Sequence, residues 1–187
     1  MDQQVLVERA RRGDDDAFAM LVSPALARVD TAARLILRDG ELARDAVQEA
    51  LIRAWRDLPG LRDADRFDAW LRRLAVNACL DLARRRQRRP IAVELTVIDS
   101  PSASDHAGAL ADRQLVDDAL RRLSPAHRAV VALHYLLGMP LPDVAASLGI
   151  PLGTAKSRLH HALAEMRRST MAEPDPGASP VPGGQVA

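Results

Sequence analysis

The chain has 187 residues, 48% hydrophobic and 27% charged, which suits one ordinary core or two small ones and excludes wholesale disorder. Only 3% is aromatic, so the core has to be aliphatic and alanine-rich; the single cysteine, Cys79, excludes a disulfide framework and a cysteine-based zinc site. The net charge of +1 hides an uneven spread: four acids against one base from Asp39 to Glu49, seven arginines against one acid from Arg72 to Arg89, and four bases against one acid from Gly153 to Arg168.

The pattern is helical nearly throughout. Asp14, Asp15 and Asp16 open the first long helix, and nothing is expected ahead of it. Phe18, Leu21, Ala25, Val29, Ala32 and Ile36 form its buried stripe. Pro24 should kink it or delay its start, and Gly40 should end it. A second helix runs from about Glu41 to Asp57, with Leu42, Ala46, Ala50 and Ala54 on one face, stopped by Pro59 and Gly60. A third runs from near Asp65 to about Arg86, with Phe67, Trp70, Leu71, Leu74, Ala78 and Leu82 inward. Cys79 is read as core.

Pro90 to about Leu110 breaks the periodicity and reads as an acidic linker, with one weak strand-like alternation from Ile91 to Ile98. Helical spacing resumes at Leu115, Ala119 and Leu123. Ser124-Pro125 caps the next helix, to about Leu137, and Gly138, Pro140 and Pro142 punctuate two more helices. The last residues, rich in proline and glycine, read as a disordered tail. The expected fold is all-α: two small helical domains joined by a flexible linker, the second a helix-turn-helix. Their boundaries are 1–89, a linker 90–111, 112–170, and a tail 171–187.

The stretch from Pro142 to Leu159 carries the first functional motif. Val144, Ala145 and Leu148 face inward on a short helix, Gly149 turns the chain, and Ala155 and Leu159 are the inward positions of the next helix. That helix presents Thr154, Lys156, Ser157, Arg158, His160 and His161 outward, a set suited to phosphates and base edges in a major groove. Adjacent His160 and His161 point about 100° apart and do not suit a shared metal. Arg84, Arg85, Arg86, Arg88 and Arg89 exceed what a helix C-terminus needs, and they read as a phosphate-binding face. Asn77 and Asp81 precede them on the same row and could touch bases.

Asp45, Gln48 and Glu49 line the polar edge of an amphipathic helix that continues to Arg53 and Trp55. This segment, followed by Phe67, Ala69, Trp70, Leu71, Ala75, Asn77, Asp81, Arg84 and Arg85, resembles region 2 of bacterial sigma factors. The C-terminal run, from Leu123-Ser124-Pro125 and Arg128 to Leu148 through His160, resembles region 4. Both motifs in this order, with a gap too short for another helical domain, resemble the extracytoplasmic-function (ECF) group. The resemblance spans about Phe18 to Arg168.

The resemblance implies roles. Asp45, Gln48, Glu49, Arg53 and Trp55 would dock on the clamp coiled coil of the β′ subunit of core RNA polymerase. Asn77, Asp81, Arg84, Arg85 and Arg88 would engage the −10 element, and Leu61, Arg62 and Asp63 would form the loop that receives a flipped base. Thr154, Lys156, Ser157, Arg158, His160 and His161 would read the −35 element. The helix from Pro125 to Leu137 would pack on the β flap, and the acidic linker would thread toward the RNA path. Leu61 stands where an aromatic is common, and His161 where an arginine is. An anti-sigma factor is a further expected partner. The chain shows no P-loop, nucleophile elbow or clustered metal ligands, so no enzyme activity, cofactor or metal is expected. The charged N-terminus and the lack of a long apolar run point to the cytoplasm, without membrane contact. A polymerase-independent helix-turn-helix regulator is the alternative; it would not need the Asp45-to-Trp55 edge.

Overall fold

A computed structural model describes residues 2–88 and 107–171, and among them there are eight α-helices and no strand. They are α1 (Gln3–Arg11), α2 (Asp15–Leu37), α3 (Gly40–Asp57), α4 (Phe67–Arg88), α5 (Ala107–Arg122), α6 (Pro125–Val131), α7 (Leu141–Leu148) and α8 (Leu152–Met171). The strand-like alternation of 91–98 and the tail from 172 onward lie outside the described residues.

Helix α1 corrects the expectation that nothing precedes the first long helix. The Asp2 carboxylate caps it by accepting the Gln4 amide, and Leu6, Val7 and Ala10 bury one face against α2. Asp14 caps α2 as its sequence promised, accepting the Ala17 amide at 2.9 Å. Pro24 does not interrupt α2, which runs unbroken from Asp15 to Leu37. Pro24 and Met20, whose carbonyl loses the amide partner that a proline cannot supply, both lie on the exposed side of α2.

Gly40 does not end α2. Arg38 takes the left-handed turn at φ 54°, and Gly40 is already the first residue of α3. Asp39 makes this possible because its carboxylate accepts the amides of both Glu41 and Leu42. It also pairs with Arg86 of α4 at 2.7 Å.

Alanine builds the N-terminal core. Ala43, Ala46, Ala50 and Ala54 of α3 are fully buried, and these short side chains let α3 lie close along α4, its principal partner. Phe67 and Leu71 are buried at the start of α4, whereas Trp70, Leu74 and Leu82 are half-buried. The stripe on α4 is therefore set by Phe67, Leu71, Ala75, Ala78, Cys79 and Ala83.

Ser124 caps α6 by accepting the His127 amide, and the helix passes into a π turn over Ala132–Leu136. Gly138 then turns the chain at φ 64°. Helix α5 begins at Ala107, inside the stretch expected as linker. The two halves touch: α2 and α4 pack on α6 and on the residues after it. Leu137 borders the same small space as Val29, Ala32, Ala33, Ala75, Val76 and Cys79.

Candidate nucleic-acid and polymerase interface

Three polar surfaces emerge. The first is on α3, where Asp45, Gln48 and Glu49 are all exposed, at the spacing that puts them on one face. Arg53 lies one turn further and pairs with Glu49 at 2.7 Å. The same guanidinium reaches Asp81 of α4 at 3.5 Å, and these two acids hold it firmly protonated. Trp55 does not share this edge. Its ring meets Phe18 edge-on at 5.0 Å and ties α3 to α2.

The second surface is on α4. Asn77 and Asp81 are half-buried, and Arg84, Arg85 and Arg88 are exposed. Asp81 also pairs with Arg84 at 3.2 Å. A chain of ion pairs, Glu49–Arg53–Asp81–Arg84, thus joins the acidic edge of α3 to the basic end of α4. Arg86 pairs with Asp39, so among the described residues of this cluster Arg84, Arg85 and Arg88 point outward; Arg89 lies outside the described residues.

The loop before α4 presents Arg62 and Asp63 to solvent, while Leu61 is buried. Helix α1 fixes this loop. Arg11 donates to the carbonyls of Leu58 and Leu61, and Gln3 to that of Ala64 at 2.7 Å. Sequence reasoning missed these two residues. The signal was present in Asp2 followed by Leu6, Val7 and Ala10 at helical spacing.

The third surface is the start of α8. Gly149, at φ 63°, turns α7 toward it, and the Ile150 amide returns to the Ala145 carbonyl at 3.0 Å. Lys156, Ser157, His160 and His161 are exposed, and Thr154 and Arg158 are half-buried. Ser157 spends its hydroxyl proton on the Thr154 carbonyl at 3.0 Å. The His160 and His161 rings stand edge-on at 5.9 Å. Burial lowers the His127 pKa, and the nearby Arg158 and His161 charges add to it.

Between the start of α4, with the loop before it, and the C-terminal half lies a cleft of about 630 Å³, bordered by Arg62, Asp63, Trp70 and Arg73 on one side and by Leu137, Met139 and Asp143 on the other.

Residues 21–89 match the family model Sigma-70 region 2, and residues 113–166 match Sigma-70, region 4. Over 132 residues the chain is 39% identical to the ECF RNA polymerase sigma factor SigL of Mycobacterium tuberculosis (strain ATCC 25618 / H37Rv), covering 69% of this chain and 75% of SigL. The chain belongs to the ECF sigma factors of RNA polymerase. This sigma factor is also 31% identical over 175 residues to the ECF RNA polymerase sigma-E factor of Escherichia coli K12, covering 87% of this chain and 91% of that one. Among solved structures it is similar to CnrH in complex with the cytosolic domain of CnrY, with TM-score 0.66, 28% identity, and coverage of 92% and 100%. The fold also matches RpoE in complex with the anti-sigma factor NepR from Bartonella quintana, with TM-score 0.70, 24% identity, and coverage of 84% and 98%.

The region 2 match contains the first two surfaces, and the region 4 match contains the third. The region 2 match also removes the alternative of a free-standing regulator with an unrelated N-terminal half. The sigma factor directs transcription initiation.

Proposed function

We propose that this sigma factor binds core RNA polymerase through the Asp45–Gln48–Glu49 edge of α3 and contacts promoter DNA with two separate surfaces. Asn77, Asp81, Arg84, Arg85 and Arg88, with the loop at Arg62 and Asp63, face the −10 element. Thr154, Lys156, Ser157, Arg158, His160 and His161 face the −35 element. The observation that supports this most is the placement of an exposed acidic edge beside an exposed arginine end on neighbouring helices. Arg53 and Asp81 pair with only one member of each set, Glu49 and Arg84, and a surface with such separated charge suits partners of opposite charge.

The functional units on this reading are 1–89 and 112–170. Arg53 and Trp55 act through packing and pairing, since Trp55 faces Phe18. Leu61 is buried here, so Arg62 and Asp63 are the loop residues that would first meet an unpaired base. The β flap would meet Tyr135 and Leu136, the exposed apolar pair beyond α6. An anti-sigma partner is supported by the two solved relatives, each in complex with a second protein. The site of action is the cytoplasm, where polymerase works. No helix among the described residues is long and apolar enough to cross a membrane.

The test is the double variant Asp45→Arg with Glu49→Arg. Its affinity for core polymerase should fall by at least about tenfold, because two docking charges change sign, while duplex DNA binding by the factor is not weakened. Run-off transcription from its promoters should disappear with it. An unchanged core affinity would move the polymerase surface elsewhere.

A further inference from the structure

Helix α1 lies along the loop that precedes α4 and grips it at two points. Gln3, the first residue of α1, donates its side-chain amide to the Ala64 carbonyl at 2.7 Å. Arg11, the last, donates to the Leu58 carbonyl at 3.4 Å and to the Leu61 carbonyl. Along the helix axis Gln3 and Arg11 are about 12 Å apart, at about 1.5 Å per residue. The loop backbone is extended at Leu61 and Asp63, and the chain from Leu61 to Ala64 covers at most about 11 Å. One short helix therefore spans the loop tip. Between the two gripped carbonyls stand Arg62 and Asp63, both exposed.

The other contacts of the tip are local. Asp63 accepts the Asp65 amide at 3.0 Å and faces Arg66 at 3.5 Å, all within the loop. Leu58 and Leu61 anchor its first part by burial. Helix α1 ties the backbone on the far side of the tip as well, and it is itself firmly seated. Leu6, Val7 and Ala10 are buried against α2, and Arg9 pairs at 2.8 Å with Asp14, the cap of α2. The family match to region 2 begins at residue 21, so α1 lies outside the matched residues.

The geometry points to Gln3 and Arg11 as positioning residues that set which unpaired base the sigma factor accepts. They act through the loop backbone, on either side of Arg62 and Asp63. A capture loop already held in shape loses less freedom when it binds. It also discriminates better, because a wrong base leaves fixed polar groups unpaired, whereas a loose loop moves to suit any base. The proposal rests on the reading of Arg62 and Asp63 as the residues that meet the unpaired base.

The experiment has two readouts on the full chain, for Gln3→Met, Arg11→Met and the pair together. The first is the rate at which trypsin cuts after Arg62, followed by mass spectrometry. Cleavage needs the loop to open locally, so the double variant should be cut there about three- to tenfold faster than the parent. The second is base preference. Holoenzyme assembled with core polymerase selects from a pool of randomised single strands, and the bound strands are sequenced. Asp63→Ala marks the position that the loop serves, as the one whose enriched base changes. At that position the double variant should lose about three- to tenfold of the parent's enrichment, while the other positions and the affinity for core polymerase stay as they were. Arg11→Lys, which keeps a donor for one carbonyl, should recover part of both effects. Unchanged enrichment at the marked position overturns the proposal, even if trypsin cuts faster, since α1 would then only support the fold. Enrichment lost equally at every position overturns it too. If Asp63→Ala alters no position, the base-capture reading of the loop fails, and the proposal with it; if Asp63→Ala alters one and the α1 variants do not, only the proposal fails.

Discussion

Cys79 is enclosed by α2 and α4, and burial pushes its thiol up to about 12. The thiolate is the reactive form, so alkylation at pH 8 should be negligible in the native protein and complete in denaturant. Rapid native labelling, followed by mass spectrometry, would show that the core opens there. Arg128 is the converse case. Its guanidinium is lowered to about 10 by burial and the nearby Arg38 charge, and carbonyls rather than a carboxylate satisfy it. Phe67 has no exposed surface, and Phe67→Ala should cost about 3–5 kcal/mol in chemical denaturation. Single residues were the most legible part of the sequence where composition decides, as at Cys79. They were least legible where a motif position has a packing use. Trp55 and Leu61 stand at positions where the family resemblance implies recognition, yet one closes on Phe18 and the other is buried, because spacing alone does not say which neighbour a large side chain meets.

At the scale of elements, the caps and turns did most of the specifying. Asp14, Ser124 and Gly149 each stand where their side-chain or backbone chemistry puts them. A Cβ at Gly149 would meet nothing within 4 Å, so only its positive φ opposes substitution. Gly149→Ala should therefore cost about 1 kcal/mol in thermal or denaturant unfolding. A larger loss would mean a steric clash that the open surroundings do not contain. Asp39→Ala should cost about 1 kcal/mol as a lost cap of α3, and it also frees Arg86. Helix α1 escaped notice because it is short and its apolar face is only three residues wide. The end of α2 was misjudged for a related reason. A glycine near a helix end suggests a stop, but Asp39 is the better cap for the next helix and Arg38 can be held in the left-handed turn by Asp117.

For the whole molecule, the decisive feature is the contact between halves that the sequence divides. A linker composition suggests independence, whereas α2 and α4 receive Leu137, and the arginines of α2 and α6 bridge the seam. The Arg38–Asp117 pair is partly buried, so salt should weaken it less than exposed pairs. Raising sodium chloride from about 0.1 to about 1 M should expand the free factor only slightly in small-angle scattering. A large expansion would show that long-range charge, not the buried seam, holds it closed.

The sequence by itself determined that the described residues are helical without strands, where most helices begin, and which polar residues are left over on three faces. Periodicity, caps and charge runs are local, and they survive without knowing any neighbour. The family motifs added their order along the chain. Only the tertiary structure decided that Arg53 links Glu49 to Asp81, that α1 props the loop at Arg62, and that Arg38 and Arg128 meet across the seam. Each of these depends on residues brought together from different helices, and a charge pattern names the candidates for such pairs without naming the partners.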